Sequence, residues 1–315
     1  MTWLVTLAIP CRADEPALGR TLATALASWR QAPEAATYGL ELLVCLNGGD
    51  AQRPRADLVA CAREAGVALA EIDLDRAGAG GLAAPGAPLT VAALVTQRAG
   101  KPLAWNALRQ RARGTFALFV DADVSFAPET FGLLLGALSA SPQAAIASAR
   151  TTCAPRRGLF EGIMAAPYGV DFPNLSPQLY AARIAALPDA MPEDLIEPER
   201  WLELMLGSER ILRVPAARVA VRLPGTLADF FRQRIRIEMG KVQLAREYPA
   251  LAPRGAPQPG ARAALASLDP GGLVRLAAYL GLRSAAHVVA WWRYRRGATA
   301  GIWRQAASTK HWDAA

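Results

Sequence analysis

The chain has 315 residues, of which 52% are apolar and 20% charged, with 26 glycines and 23 prolines. That composition excludes a disordered chain, a small peptide or finger and a repeat array, and it is enough to bury the core of one large α/β domain or two small ones. The net charge of +8 is concentrated at one end: residues 271 to 315 carry seven basic side chains against Asp313 alone, and the remainder is close to neutral.

The first third alternates strand-like and helix-like segments in the manner of parallel βαβ units. Trp3 to Ile9 is an apolar strand, Ala17 to Trp29 has helical spacing through Leu18, Leu22 and Leu26, and Leu40 to Leu46 is a second strand ending in Asn47-Gly48-Gly49. Leu58 to Ala65 suits a helix and Val67 to Ile72 a third strand, the opening of a doubly wound sheet whose ligands would sit at the carboxyl ends of its strands. Arg76 to Thr90 reads as a loop; its Gly78-Ala79-Gly80-Gly81 lacks both the Lys-Ser/Thr and the G-x-G-x-x-G spacing of a phosphate cradle. A helix is expected from Pro102 to a cap at Gly114, then a buried strand, Phe116 to Val120, delivering Asp121-Ala122-Asp123. Thr130 to Ala149 reads as helix, turn and strand. Leu179 to Ala186 is helical or strand-like, Pro192 to Glu197 a turn, and Glu199 to Leu206 a helix with Pro198 at its first position. Leu227 to Glu247 is a long basic amphipathic helix, Pro249 to Pro270 a linker rich in Ala, Pro and Gly, and Leu273 to Arg296 a second helical stretch.

Cys11, Cys45, Cys61 and Cys153 are dispersed, and His287 and His311 are the chain's imidazoles, so neither a zinc site nor a disulfide framework is expected. The apolar start lacks a basic leader and a small-residue cleavage site and reads as a strand, which implies a reducing, cytoplasmic setting. The stretch from Gly271 is broken by Arg275 and Arg283, so no membrane-spanning helix is expected there.

Chemistry concentrates at Asp121-Ala122-Asp123. Alternation puts both carboxylates on one side of the chain, where they are costly unless solvated or neutralised by a cation; oxygen ligands suit Mg2+ or Mn2+. Taken alone, the triplet is equally well a helix-capping Asp beside a turn Asp.

In context the segment resembles family-2 glycosyltransferases of the GT-A fold. Gly100-Lys101-Pro102-Leu103-Ala104-Trp105-Asn106, Ala112-Arg113-Gly114 and the strand into Asp121-Ala122-Asp123 are similar to that family's G-K-x-x-A-x-N, A-x-G and D-x-D stretch. Ile9-Pro10-Cys11-Arg12-Ala13-Asp14-Glu15 resembles its P-x-R-N-E motif, and Val44-Cys45-Leu46-Asn47-Gly48 stands where D-D-G-S is usual. Leu179-Tyr180-Ala181 precedes Met191-Pro192-Glu193-Asp194, which looks like the E-D motif, and Gln233-Arg234-Ile235-Arg236-Ile237 matches Q-x-x-R-W except at its last residue.

The resemblance implies a Rossmann-like α/β fold, a doubly wound, mostly parallel sheet with C-terminal amphipathic helices. It implies a GT-A domain over residues 1–248, the linker over 249–270 and a basic, Trp-rich helical segment over 271–315. It also implies Mn2+ or Mg2+ on Asp123 with Asp121, donor contacts from Pro10, Asp14, Asn47, Lys101, Asn106 and Asp121, Asp194 as general base with Glu193 beside it, and Gln233 and Arg236 toward the diphosphate and acceptor. Ala13, Asp14, Asn47 and Ile237 depart from the family pattern, so the nucleotide base is open, with a UDP-sugar the default donor.

The segment from residue 271 holds Trp291, Trp292, Trp303 and Trp312 with Arg275, Arg283, Arg293, Arg295, Arg296, Arg304 and Lys310. Three uses compete for it: an anionic membrane surface, packing on the catalytic domain, and nucleic acid, for which no recognised motif is present. The first implies a peripheral protein on the inner face of the plasma membrane with a lipid or lipid-linked acceptor, and no nucleic-acid partner is expected. The rival to an enzyme is an inactive GT-A domain serving as a membrane-associated scaffold.

Overall fold

The computed structural model describes residues 4–76, 88–153, 158–169, 175–251, 269–297 and 309. Its first half runs β1 (Leu4–Arg12), α1 (Leu18–Gln31), β2 (Gly39–Asn47), α2 (Gln52–Glu64), β3 (Leu69–Asp73), β4 (Leu89–Thr96), α3 (Lys101–Arg111), β5 (Phe116–Val120), β6 (Ser125–Phe126) and α4 (Thr130–Ala140). The second half runs β7 (Ile146–Cys153), α5 (Gly158–Ala165), β8 (Leu179–Arg183), α6 (Pro198–Leu206), β9 (Ile211–Val221), α7 (Leu227–Glu247) and α8 (Pro270–Arg295).

The strands form one nine-stranded sheet in the order β3-β4-β2-β1-β5-β8-β7-β9-β6. The pairs β3–β4, β4–β2, β2–β1 and β1–β5 are parallel, whereas β8 is antiparallel to both β5 and β7. Helices flank the sheet, the mostly parallel, Rossmann-like architecture expected of a GT-A domain. Covered strands are apolar without interruption because neither face meets water: all nine residues of β2 and all five of β5 are buried. The exception inside β2 is Glu41, wholly buried. Its carboxylate accepts from the Thr6 hydroxyl at 2.7 Å and from the amide and guanidinium of Arg113 at 2.9 and 2.5 Å, which compensates the cost of burying a charge.

Two compact units emerge. One comprises Met1–Arg150, Leu175–Glu193 and Leu206–Val219; the other comprises Thr151–Asn174, Asp194–Met205 and Ala220–Ala315. In the second unit α5, α7 and α8 share a core. Met164, Ala165, Leu223, Phe230 and Tyr279 form one cluster, and Ile235, Met239, Ala286 and Ala290 another.

Several elements differ from the expectation. Leu89 and Thr90, assigned to a loop, begin β4, the partner that separates β2 from β3. Leu179–Arg183 is a strand, followed by a short 3-10 turn at Ile184–Ala186. The stretch from Gly271 is not broken: α8 is continuous over 26 residues and, by length and composition, long and apolar enough to cross a membrane. Arginine is a good helix former and leaves it continuous; Arg283 lies 3.1 Å from Glu238 of α7, and the stem of Arg275 lies over Gly162 of α5. Arg232, Arg234 and Lys241 of α7 are paired with carboxylates of the same helix. Arg232 pairs with Asp229 at 2.5 Å, and Arg234 and Lys241 converge on the buried Glu238 at 3.7 and 2.8 Å. The Gly78–Gly81 stretch, most of the expected linker, and Trp303, Arg304, Lys310 and Trp312 lie outside the described residues.

Candidate active site

Strand order locates the site before any side chain is considered. From β1 the chain moves outward on one side to β2, β3 and β4, then returns to pair on the other side of β1 with β5. In open α/β sheets a ligand sits at such a reversal, beyond the carboxyl ends of the strands. Pairing between β1 and β5 ends at Ala8 and Phe119, whereas β1 stays paired with β2 to Arg12, so the two strands part company there. Pro10 lies past the last β1–β5 pair, in register with Cys45 of β2.

Asp121 is the first residue beyond β5. Its amide donates to the Gln178 carbonyl at 2.9 Å, and the buried Thr21 hydroxyl of α1 lies 2.9 Å from the Ala122 carbonyl and 3.0 Å from that of Val124. Ala122 and Val124 are buried, whereas Asp121 and Asp123 are half-buried. Lys101, the first residue of α3, sets its Nζ 2.7 Å from Asp121 Oδ1 and donates to the Pro177 carbonyl at 3.1 Å.

Among the described residues no group of three or more His, Cys, Asp or Glu could hold a metal ion. Mg2+ and similar cations are commonly held by one or two carboxylates, with substrate phosphates and water completing the shell. Two carboxylates such as Asp121 and Asp123 are enough for a cation whose shell is otherwise water and phosphate oxygen.

Asn47 and Asn106 are braces. Asn47, buried at the end of β2, donates through Nδ2 to the Cys11 carbonyl at 2.9 Å and accepts at Oδ1 from the Gly100 amide at 3.1 Å, joining the end of β1 to the start of α3. Gly48 beside it has φ 88°, and a Cβ there would stand 2.9 Å from the Ala99 Cβ, so glycine is what lets that loop approach. Asn106 Nδ2 donates to the Met191 carbonyl and its Oδ1 accepts from the Met191 amide, both at 2.8 Å, which clamps the chain two residues before Glu193. Asp14 is largely exposed and takes a two-pronged contact from Arg12 at 2.8 and 3.0 Å.

Two further charged groups escaped the sequence reading. Asp75 accepts from the Thr96 hydroxyl at 2.8 Å and the Gln97 amide at 2.6 Å, and these hydrogen bonds, the amide's first, hold its carboxyl below the ordinary range. Arg98, in the loop after β4, donates to the Glu193 carboxylate.

In the second unit Asp194 is exposed, and its backbone is held from α7. Gln243, buried, donates through Nε2 to the Asp194 carbonyl at 3.1 Å and accepts at Oε1 from the Ile196 amide at 3.0 Å. Arg236 reaches Glu197 at 3.9 Å, and Gln233 lies half-buried one turn earlier. Burial first, then the charges of Asp194 and Glu247, raise the Tyr248 hydroxyl. Tyr294 of α8, hydrogen-bonded to Glu247, is pushed up to about 12 by burial, that bond and the nearby carboxylates.

No protein-family model matches the chain, and no curated protein does. Solved structures match. The mannosyltransferase PcManGT from Pyrobaculum calidifontis, in complex with GDP-Man and Mn2+, is 21% identical, covering 95% of this chain and 81% of its own, with a TM-score of 0.56. TarS 1–349 from S. aureus in complex with UDP is 14% identical over 95% of this chain and 92% of its own, at 0.48. Glucosyl-3-phosphoglycerate synthase from Mycobacterium tuberculosis in complex with Mg2+ and UDP is 15% identical over 77% of this chain and 78% of its own, also at 0.48. The likeness to PcManGT establishes a shared fold.

Proposed function

We propose that this chain is a cation-dependent, inverting glycosyltransferase of the GT-A fold that moves a sugar from a nucleoside-diphosphate donor to a hydroxyl acceptor. The observation that supports this reading is Asp121 and Asp123 directly after β5 at the sheet's reversal, in a stretch whose backbone is held by Thr21 and Gln178, with Lys101 on Asp121. The fold shared with a mannosyltransferase solved with GDP-Man and Mn2+ supports it.

Asp123, with Asp121, would hold Mn2+ or Mg2+, which when bound would supply Lewis-acid stabilisation of the charge on the leaving diphosphate. Lys101 adds a second positive charge on that side. Pro10, Asp14, Asn47 and Asn106 shape or brace the donor pocket, and Gln233 and Arg236 face diphosphate and acceptor. Asp194 takes the proton of the acceptor hydroxyl as its oxygen forms the new bond to the sugar C1; the bond from C1 to the diphosphate oxygen breaks on the opposite face, and the nucleoside diphosphate leaves with that electron pair. Glu193, paired with Arg98, orients the base segment. A UDP-sugar is the default donor, and a GDP-sugar is its first rival.

The acceptor is a lipid or lipid-linked alcohol, met at an anionic membrane surface on the cytoplasmic side. Support comes from α8, whose packed face is backed by an exposed apolar one: Val274 is 70% and Val288 65% exposed. At its end Trp291 and Trp292 are exposed, with the Arg295 and Arg296 guanidinium groups 4.3 and 3.6 Å from their rings. Tryptophan and arginine together suit the headgroup layer, and α8 carries no acidic residue to oppose anionic lipid.

Calorimetry with UDP-, GDP- and TDP-sugars, with Mn2+ or Mg2+, on the wild type and Asp123→Ala tests the reading. Cation-dependent binding of one donor, abolished in the variant, is the expected result. Binding of none of them would overturn it in favour of a scaffold protein.

A further inference from the structure

One face of α7 is given over to the short segment that carries Asp194. Arg236, Gly240, Gln243 and Glu247 recur at intervals of four, three and four residues and so line one side of the helix. Arg236 pairs with Glu197. Gly240 lets the backbone come close: a Cβ there would stand 2.3 Å from the Glu197 Cγ and 3.2 Å from the Ile196 Cγ2. Gln243 then binds the backbone itself, and its Nε2 also donates to Glu247 at 3.1 Å. Glu247 in turn accepts from the Tyr294 hydroxyl of α8.

The Asp194 carbonyl and the Ile196 amide both meet the Gln243 side chain. The Gln243 carboxamide offers a donor and an acceptor side by side, and so satisfies both. Aspartate or glutamate at this position would lose the donor, and a shorter amide would not reach. Three of the four hydrogen-bonding positions of the amide are therefore used, two on the base segment and one on Glu247, and the side chain is 5% exposed.

We propose that Gln243 is the positioning residue for the general base: it fixes the backbone from Asp194 to Ile196, and the contact of Tyr294 with Glu247 locks that brace to α8. The inference rests on the reading of Asp194 as the base. With the backbone from the Asp194 carbonyl to the Ile196 amide fixed, the freedom of its carboxylate is reduced, and an acceptor oxygen is met at a more nearly set distance. Loosening the segment by about an ångström is enough to cost about a hundredfold in turnover.

The test uses the full chain and the nucleotide sugar selected by calorimetry, GDP-mannose or UDP-glucose, with Mn2+; release of the nucleoside diphosphate is followed with water as the acceptor. Gln243→Leu, close in shape and unable to hydrogen-bond, is expected to lower kcat about 10- to 100-fold while donor affinity stays within about twofold. Hydrogen exchange of the Ile196 amide should accelerate in the same variant. Gln243→Glu should fall with it, because the missing donor and the added charge both act against the Asp194 carbonyl. Tyr294→Phe keeps the ring and loses the tie to Glu247, so it is expected to show a smaller fall in kcat, again with donor affinity unchanged; it also tests the proposal if the Gln243 variants do not fold. Asp194→Asn is run beside them. Turnover retained in Asp194→Asn overturns the base assignment and the inference with it. An inactive Asp194→Asn with undiminished kcat in Gln243→Leu or, should that variant not fold, in Tyr294→Phe overturns the inference alone, as does a parallel loss of donor binding.

Discussion

Replacing Asn106 by alanine measures what the asparagine of α3 does for the approach to Glu193. Both polar atoms of its side chain are spent on Met191, a residue 3% exposed, through two contacts of 2.8 Å. Truncation strips a buried amide and a buried carbonyl of their partner, and each such orphan costs about 1–3 kcal/mol. Asn106→Ala should therefore lose about 2–6 kcal/mol, toward the lower figure where water enters the space of the lost carboxamide. Asn106→Asp divides the two halves: it keeps an acceptor for the Met191 amide but turns a carboxylate oxygen against the carbonyl, so it should recover less than half of the loss. Urea unfolding followed by tryptophan fluorescence reads the difference as a shift of midpoint at unchanged slope. Turnover should fall in both variants, since the freed stretch leads directly into Glu193. A stability loss below about 1 kcal/mol in both would refute the clamp, because two buried groups left without partners cannot cost so little.

Thr21→Val keeps the shape of the side chain and removes the hydroxyl shared by the Ala122 and Val124 carbonyls; it should weaken Mn2+-dependent donor binding in calorimetry by about tenfold, equivalent to about 1.4 kcal/mol. Glu238, buried on α7, is penalised first by burial, but Lys241, Arg283 and His287 hold its carboxyl below the ordinary 4.5, so it binds fewer protons in the folded chain than in the unfolded one. Its contribution is complete above about 4.5 and is lost as the pH falls through the folded value. Glu238→Gln, which leaves Lys241 and Arg283 facing one another, should cost about 3 kcal/mol at neutral pH and progressively less in acid, as thermal melts between pH 7 and 3 would record. Trp291→Ser with Trp292→Ser should reduce sedimentation with phosphatidylglycerol vesicles about tenfold and leave binding of the nucleotide sugar unchanged; equal sedimentation would remove α8 as the membrane contact.

Which elements could be read from the sequence depended on how fully each is covered. β1, β2 and β5 stand out as largely apolar runs, Thr6 and Glu41 being buried exceptions, because a central parallel strand has no wet face. β4 is just as apolar, but it follows a stretch rich in Gly, Ala and Pro, and its first residues, Leu89 and Thr90, take on the character of that stretch. β9 gives little signal: Pro215 interrupts it, and Arg213 and Arg218 fall within it. A five-residue run such as Leu179–Arg183 satisfies either period, and only its pairing with β5 and β7 decides the matter. α7 was the easiest helix to bound, since Thr226 caps it and the amphipathic pattern runs to Glu247, where the structure also ends it.

The site divides along a different line. Asp121, Asp123, Lys101 and Asn106 belong to a local pattern of residue types, and a local pattern can be read. Thr21 and Gln243 could not be, because their partners are backbone groups 101 and 49 residues away, and every residue carries the same amide and carbonyl whatever its side chain. The trace such residues leave is a polar side chain on an otherwise apolar face: Thr21 sits between Leu18 and Leu22 on the buried side of α1, and Gln243 lies one turn after Gly240 and beside Leu244. A buried polar group must find a partner, so each of these positions already states that something polar faces it. Glu238 is the case where side chains alone sufficed. Arg234 and Lys241 stand four residues before it and three after, so helical spacing lets both reach one carboxylate, a signal present in the sequence that a reading by net charge passes over.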